Sequence, residues 1–283
     1  MARLPFNLSK AVNTWKEVSA NTSLSANVLL AGNQRLVALA QQQFSSGGTL
    51  PATWVRPVAE LAGAAPVPGE LLVVFTTPEG EVEALAALAG SAPKGGAVVA
   101  VDEGSAATGK AKRAGLRTTR LSFADTPEGW DRLFGVCAEA AGDHVAALGR
   151  RYPAVRDAAA RRVMVRAAGQ NGLIGLAFFV PGADMPAMTL NQAKMVLSIA
   201  GVYGEDINQE RVVELVGVVG LGFALRGVAR YLVRKMPGIG WVVKGVTGYV
   251  ATLAVGKAAV RYFERGAPAS TSKVVALASS LRR

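Results

Sequence analysis

From Pro153 to Arg283 the chain carries apolar runs of helical period and no run that alternates like a strand. Those runs are short. Val212 to Leu225 is broken by Glu214, and Ile239 to Gly256 is broken by Lys244. A simple transmembrane helix needs about 20 consecutive apolar residues, so neither run demands a membrane span. The pattern calls for helices that bury one another or lie against an apolar surface. Helices are expected over 154–169, 186–203, 208–235 and 240–265, broken at Val180-Pro181-Gly182, at Gly204 to Asp206 and at Met236-Pro237-Gly238.

Charge placement narrows the choice of surface. Residues 1–144 hold 12 Lys+Arg against 13 Asp+Glu, and residues 145–283 hold 19 against 7, so the whole net charge of +11 comes from the second half. Hydrophobic residues make up 51% and charged residues 18%, below the roughly 25% charge of an ordinary soluble domain. Arg226, Arg230 and Arg234 recur every fourth residue, as do Lys257, Arg261 and Arg265, so each set forms a basic stripe beside an apolar stretch. Such stripes suit helices in an anionic membrane interface, or an acidic or self-associating protein partner. Nucleic acid is disfavoured: aromatic residues are 6%, and no recognition-helix, zinc-finger or stacking motif is present. Gly248, Thr252 and Gly256 form a line of small residues on which helix backbones can approach closely.

The first half reads differently. Residues 1–65 are expected to be a helical arm, with helices from Lys10 to Ala20 behind Ser9, from Asn27 to Phe44, and a short one after Pro51. Residues 64–69 (AAPVPG) read as a linker. Leu71–Thr76, Gly96–Val101 and Leu116–Phe123 are β-rich, and Glu81–Ala89 and Pro127–Leu148 are helical. The expected division is a helical arm over 1–65, a small α/β layer over 66–150, a helical domain over 151–266 and a tail over 267–283.

Candidate chemistry is sparse. Gly104-Ser-Ala-Ala-Thr-Gly109-Lys110-Ala111 has the spacing of a phosphate-binding loop. Ala111 stands where that loop needs a hydroxyl for magnesium, and Gly115 cuts the helix whose N-terminus should face the phosphate. A glycine-rich surface turn is therefore expected, with a divergent nucleotide hydrolase using Lys110 as the alternative. Asp102-Glu103 reads as a solvated strand end. Cys137 and His144 are the single cysteine and histidine, which excludes an internal disulfide and an ordinary zinc site. Cys137 reads as a small buried hydrophobe and His144 as a helix-surface residue. Residues 1–10 lack the charged start and apolar run of a signal peptide. No catalytic residue, cofactor or metal site is expected.

Three stretches carry a resemblance. Phe179-Val-Pro181-Gly-Ala-Asp184-Met-Pro186, then Leu190-Asn-Gln192-Ala-Lys194-Met195-Val, then Ile199-Ala-Gly-Val-Tyr203-Gly204, resemble the bacterial YcjF-like family, a domain of unknown function numbered 697. Lys235-Met-Pro237-Gly-Ile-Gly240 and Arg261-Tyr262-Phe263-Glu264-Arg-Gly266 agree with it, so the resemblance covers about residues 170–266. It implies membrane association and a link to Era-like GTPases. Residues 70–148 in turn resemble the later half of such a GTPase, with Val101-Asp102-Glu103-Gly104 in place of its guanine motif and no counterpart of its earlier strands in residues 1–65. That implies a remnant without nucleotide chemistry. In the motif, Asp184 is expected to cap a helix starting at Pro186, with Pro181 in the break before it.

The expected fold is α/β plus α: a small, partly parallel sheet layer followed by a mostly helical, membrane-associating domain. The expected function is a non-catalytic scaffold or regulator at the cytoplasmic face of a bacterial inner membrane, or in the cytoplasm, with a GTPase as the candidate partner. The alternatives are the Lys110 nucleotide hydrolase and a soluble, self-associating helical protein.

Overall fold

A computed structural model describes residues 24, 26–45, 54–56, 70–76, 97–103, 109–113, 116–177, 185–205 and 240–265. The described residues fall into two units, one ending at Arg162 and the other starting at Val163. The architecture is α/β plus α, as expected.

The first unit is built on six strands: β1 (Asn27–Gly32), β2 (Trp54–Arg56), β3 (Glu70–Thr76), β4 (Ala97–Glu103), β5 (Gly109–Arg113) and β6 (Leu116–Phe123). They form one sheet in the order β2-β1-β3-β4-β6-β5. All pairings are parallel except the β5–β6 hairpin, which is antiparallel. Leu30 stands opposite Val73, and Val73 opposite Val99. In β1 Val28 to Ala31 are all buried, as are Leu71 to Phe75 in β3. A parallel strand covered on both faces reads as a continuous apolar run, and these two do.

Helix α1 (Gln34–Ser45) follows β1, and α2 (Pro127–Ala140) follows β6. Thr126 caps α2 by accepting a hydrogen bond from the Gly129 amide at 3.2 Å, with Pro127 in its first turn. A 3-10 turn (Gly142–His144) leads to α3 (Val145–Arg151), and a second (Pro153–Val155) to α4 (Arg156–Ala177). Val28, Leu30, Val73, Phe75 and Leu121 point to one face, where α1 and α2 meet through Phe44 and Phe134, ring centroids 5.4 Å apart. Phe44 also packs edge-on against Tyr152, whose hydroxyl accepts the Val28 amide at 2.9 Å.

Three expectations are corrected here. Asn27–Phe44 is not one helix. Its first six residues are a central strand, and the break falls at Gly32, where φ is +104°. Leu29, Leu30, Leu36, Val37 and Leu39 fit a helical face only when that glycine is overlooked. Residues after Pro51 form β2 beside β1, not a short helix. The sheet therefore has six strands, not three, and residues 1–65 supply two of them. The predicted helix over 81–89 lies outside the described residues.

The second unit contains the later part of α4, then α5 (Met185–Val202) and α6 (Gly240–Glu264). Met164, Ala167, Met195, Ile199, Ala259 and Phe263 form its core. Methionine and alanine dominate where the sheet unit uses phenylalanine. Among the described residues, no helix is long and apolar enough to cross a membrane.

Candidate functional site

Open parallel sheets bind ligands beyond the carboxyl ends of their strands, where the strand order reverses. Here that place lies between β1 and β3. In nucleotide-binding versions of the architecture, a glycine-rich turn after β1 leaves the first amides of the following helix free for phosphate. In this chain three amides of the β1–α1 turn are bonded within the chain. The Asn33 amide donates to the Phe75 carbonyl at the end of β3, at 2.8 Å. The Asn33 side-chain oxygen accepts the amides of Arg35 at 3.0 Å and Leu36 at 3.4 Å. Two of the orphan donors of α1 are thereby satisfied by the residue that caps it. Gly32 fits because a Cβ there would stand 1.9 Å from the Phe75 carbonyl oxygen. One residue, Asn33, separates β1 from α1, with no loop to wrap a phosphate.

The phosphate-loop candidate is disposed differently from its spacing. Gly104 lies outside the described residues. Gly109 and Lys110 are not in a surface turn: they begin β5, opposite Arg120 and Thr119 of β6. A phosphate-binding loop opens into a helix. This segment opens into β5, the first strand of the antiparallel β5–β6 pair. Asp102 and Glu103 end β4, paired with Ser122 and Phe123. His144 ends the 3-10 turn and is half-buried. Cys137 is fully buried in α2, and burial pushes its thiol up to about 12. Thiolate chemistry is thereby closed to it. Among the described residues, no three His, Cys, Asp or Glu side chains gather as metal ligands.

The helical unit concentrates its polar chemistry instead. Asn171, Thr189, Gln192 and Thr252 are the buried polar residues among those described, and all four lie here. The Thr252 hydroxyl donates to the Gly248 carbonyl at 2.7 Å, and it accepts from Asn171 Nδ2 at 2.8 Å and Gln192 Nε2 at 3.0 Å. Asn171 Nδ2 also donates to the Met188 carbonyl at 3.2 Å, and its Oδ1 accepts from Asn191 Nδ2 at 2.9 Å. Asn191 donates again to the Ala167 carbonyl at 2.9 Å. Three helices are thus tied by side chains remote in sequence.

Of the small-residue line, Gly248 and Gly256 frame this network. A Cβ at Gly248 would meet the Asn171 carbonyl oxygen at 2.8 Å, and one at Gly256 would meet Met164 Cγ at 2.5 Å. The missing side chains let α6 lie against α4 and α5. Lys257 and Arg261 are exposed on α6, and Arg265 is exposed just past its end. Arg226, Arg230 and Arg234 lie outside the described residues, as do Pro181 and Asp184. The helix expected to start at Pro186 starts at Met185. Thr252 and Gln192 stood out in the sequence, whereas Asn171 and Asn191 did not. The available signal was asparagine set in a helix otherwise rich in alanine and glycine.

Compared with known protein families, curated proteins and solved structures, the chain matches none.

Proposed function

We propose that the protein is a non-catalytic scaffold or regulatory protein attached to the anionic, cytoplasmic face of a bacterial inner membrane, with a GTPase as its partner. The observation that carries the non-catalytic part is the Gly32–Asn33 turn. The Asn33 side chain holds the Arg35 and Leu36 amides, and the Asn33 amide is spent on β3. Lys110 in an antiparallel strand, with a hairpin where a helix is needed, speaks against the divergent hydrolase. Membrane attachment is supported by the basic second half and by exposed Lys257, Arg261 and Arg265. The GTPase partner is supported by the resemblance of residues 170–266 to the YcjF-like family.

Titration calorimetry of the full chain with GTP and with ATP, each with magnesium, tests the first part. No heat of binding is expected. Nucleotide binding that Lys110→Ala abolishes would overturn it. Fractionation tests the second part: recovery in the membrane fraction and release by high salt are expected. A chain found wholly in the soluble fraction at low salt would favour the self-associating protein instead.

A further inference from the structure

Resting on the membrane reading above, we propose that one side of the α4–α6 pair is the surface that enters the anionic interface, with the first half of α6 deepest. Leu173 on α4 is 67% exposed, and Val246 and Val250 on α6 are 57% and 56% exposed. Val165 and Tyr249 are exposed beside them. On α4, Ala167 and Asn171 face α5, to whose Asn191 and Met188 they are bonded. At about 100° per residue, Leu173 lies on the opposite side of the helix. Gly172 places Tyr249 against α4, its Cβ position 3.6 Å from that of Tyr249. The exposed apolar residues therefore share the side of the pair turned away from α5.

The same side carries the charge. Val246, Val250, Lys257 and Arg261 follow one another at spacings of four, seven and four, a single line along α6. Its first half is apolar and its second half cationic, and all four residues are exposed. In the described part of this unit, Lys and Arg number 6 against 2 Asp and Glu. A line of this kind matches the gradient from acyl chains to anionic headgroups. Lysine and arginine stems can lie along the apolar boundary while their heads reach the phosphates.

A second copy of the chain fits the line worse. Antiparallel pairing would set Val246 and Val250 against the cations of the other copy. Parallel pairing would set Lys257 and Arg261 against themselves. Neither buries the apolar half without stranding charge.

The test uses the full chain and two vesicles, phosphatidylcholine alone and phosphatidylcholine with phosphatidylglycerol. The wild type is expected to sediment with the second and not the first. The triple variant Leu173→Gln, Val246→Gln, Val250→Gln is expected to bind at least about tenfold more weakly. Lys257→Gln with Arg261→Gln is expected to weaken binding by about tenfold or more, since each cation near an anionic surface contributes about a fivefold factor. Val250→Cys labelled with an environment-sensitive dye should shift to the blue on anionic vesicles, while the same dye at Arg35→Cys on α1 should not. Buried Cys137 does not compete for the label. This dye measurement decides the matter if the triple variant fails to fold.

A wild type that binds neither vesicle sinks the membrane reading itself. A wild type that binds, with both variants binding as tightly and no dye shift at position 250, leaves that reading standing and overturns this surface. A dye shift that appears with protein concentration and without vesicles assigns the surface to a second copy and overturns it as well.

Discussion

The sheet unit and the helical unit hold their interiors together by opposite means. The core of the sheet unit is aromatic: Phe44, Phe75, Phe123, Trp130, Phe134 and Tyr152 meet edge to face, and the Tyr152 hydroxyl, bonded to the Val28 amide, is the polar group this cluster buries. The core of the helical unit is small and wet with amides, organised around the Thr252 hydroxyl. Dispersion and burial depend on volume, and they tolerate exchange between apolar shapes. A hydrogen-bonded core depends on the identity of single atoms, because a stranded donor costs more than the bond was worth. Volume should therefore govern one unit and chemistry the other.

The largest effect tests the first half of that statement. Phe44→Ala should destabilise the sheet unit by about 3–5 kcal/mol, read as lost amide exchange protection in β1 and β3. Phe44→Leu should recover much of the loss. Next comes Thr252→Val, which keeps the volume and removes the hydroxyl. Asn171 and Gln192 each lose an acceptor, and a cost of about 2–4 kcal/mol is expected in the exchange protection of α6. Thr252→Ser should cost only about 1 kcal/mol. If the valine proves milder than the serine, the contrast between the units collapses.

The third prediction concerns pH. Burial raises the Cys137 thiol from 9.0 to about 12 in the folded protein. Its contribution is whole below about pH 9 and is lost as pH rises toward the folded value, by about 1.4 kcal/mol per unit. Denaturant unfolding of the wild type between pH 9 and 11 should show this slope, and Cys137→Ala should remove it. Tyr152, also raised by burial, adds its own loss above pH 10. A fourth, smaller comparison lies inside the helical unit. Gly248→Ala brings a Cβ onto the Asn171 backbone carbonyl, whereas Gly256→Ala meets the Met164 side chain, which can turn aside. The first should cost about 1–3 kcal/mol in thermal unfolding and the second less. Smallest of all, Val246→Gln at an exposed position should change stability by less than about 0.5 kcal/mol.

The strands most legible in the sequence were β3 and β4, with apolar runs rich in valine, and β6, which alternates. β1 was hidden because Val28-Leu29-Leu30 is spaced in phase with the apolar face of α1, and only Gly32-Asn33 marks the change. β5 was hidden because Gly-Lys-Ala-Lys-Arg has no strand-like pattern; its partner β6 supplies the reason to extend. Of the helices of the second unit, those expected over 186–203 and 240–265 were legible within a residue, the one expected to end at 169 runs on to Ala177, and the one expected over 208–235 lies outside the described residues. The network was not legible. Asn171 and Thr252 are 81 residues apart, and Gln192 and Thr252 are 60. A polar residue in an apolar helix announces that a partner is needed, but not which one.

The line Gly248, Thr252, Gly256 has a consequence for sliding. A one-turn slide, about 5.4 Å, would carry Thr252 into the place of Gly248 or of Gly256, where a Cβ stands 2.8 Å from the Asn171 carbonyl oxygen or 2.5 Å from Met164 Cγ. Shape already resists the slide, and the hydroxyl resists it a second time. Moving α6 one turn either way would bring a glycine opposite Asn171 and Gln192, and both amides would lose their acceptor. The small residues set how closely the helices approach, and shape and one oxygen together set where they stop.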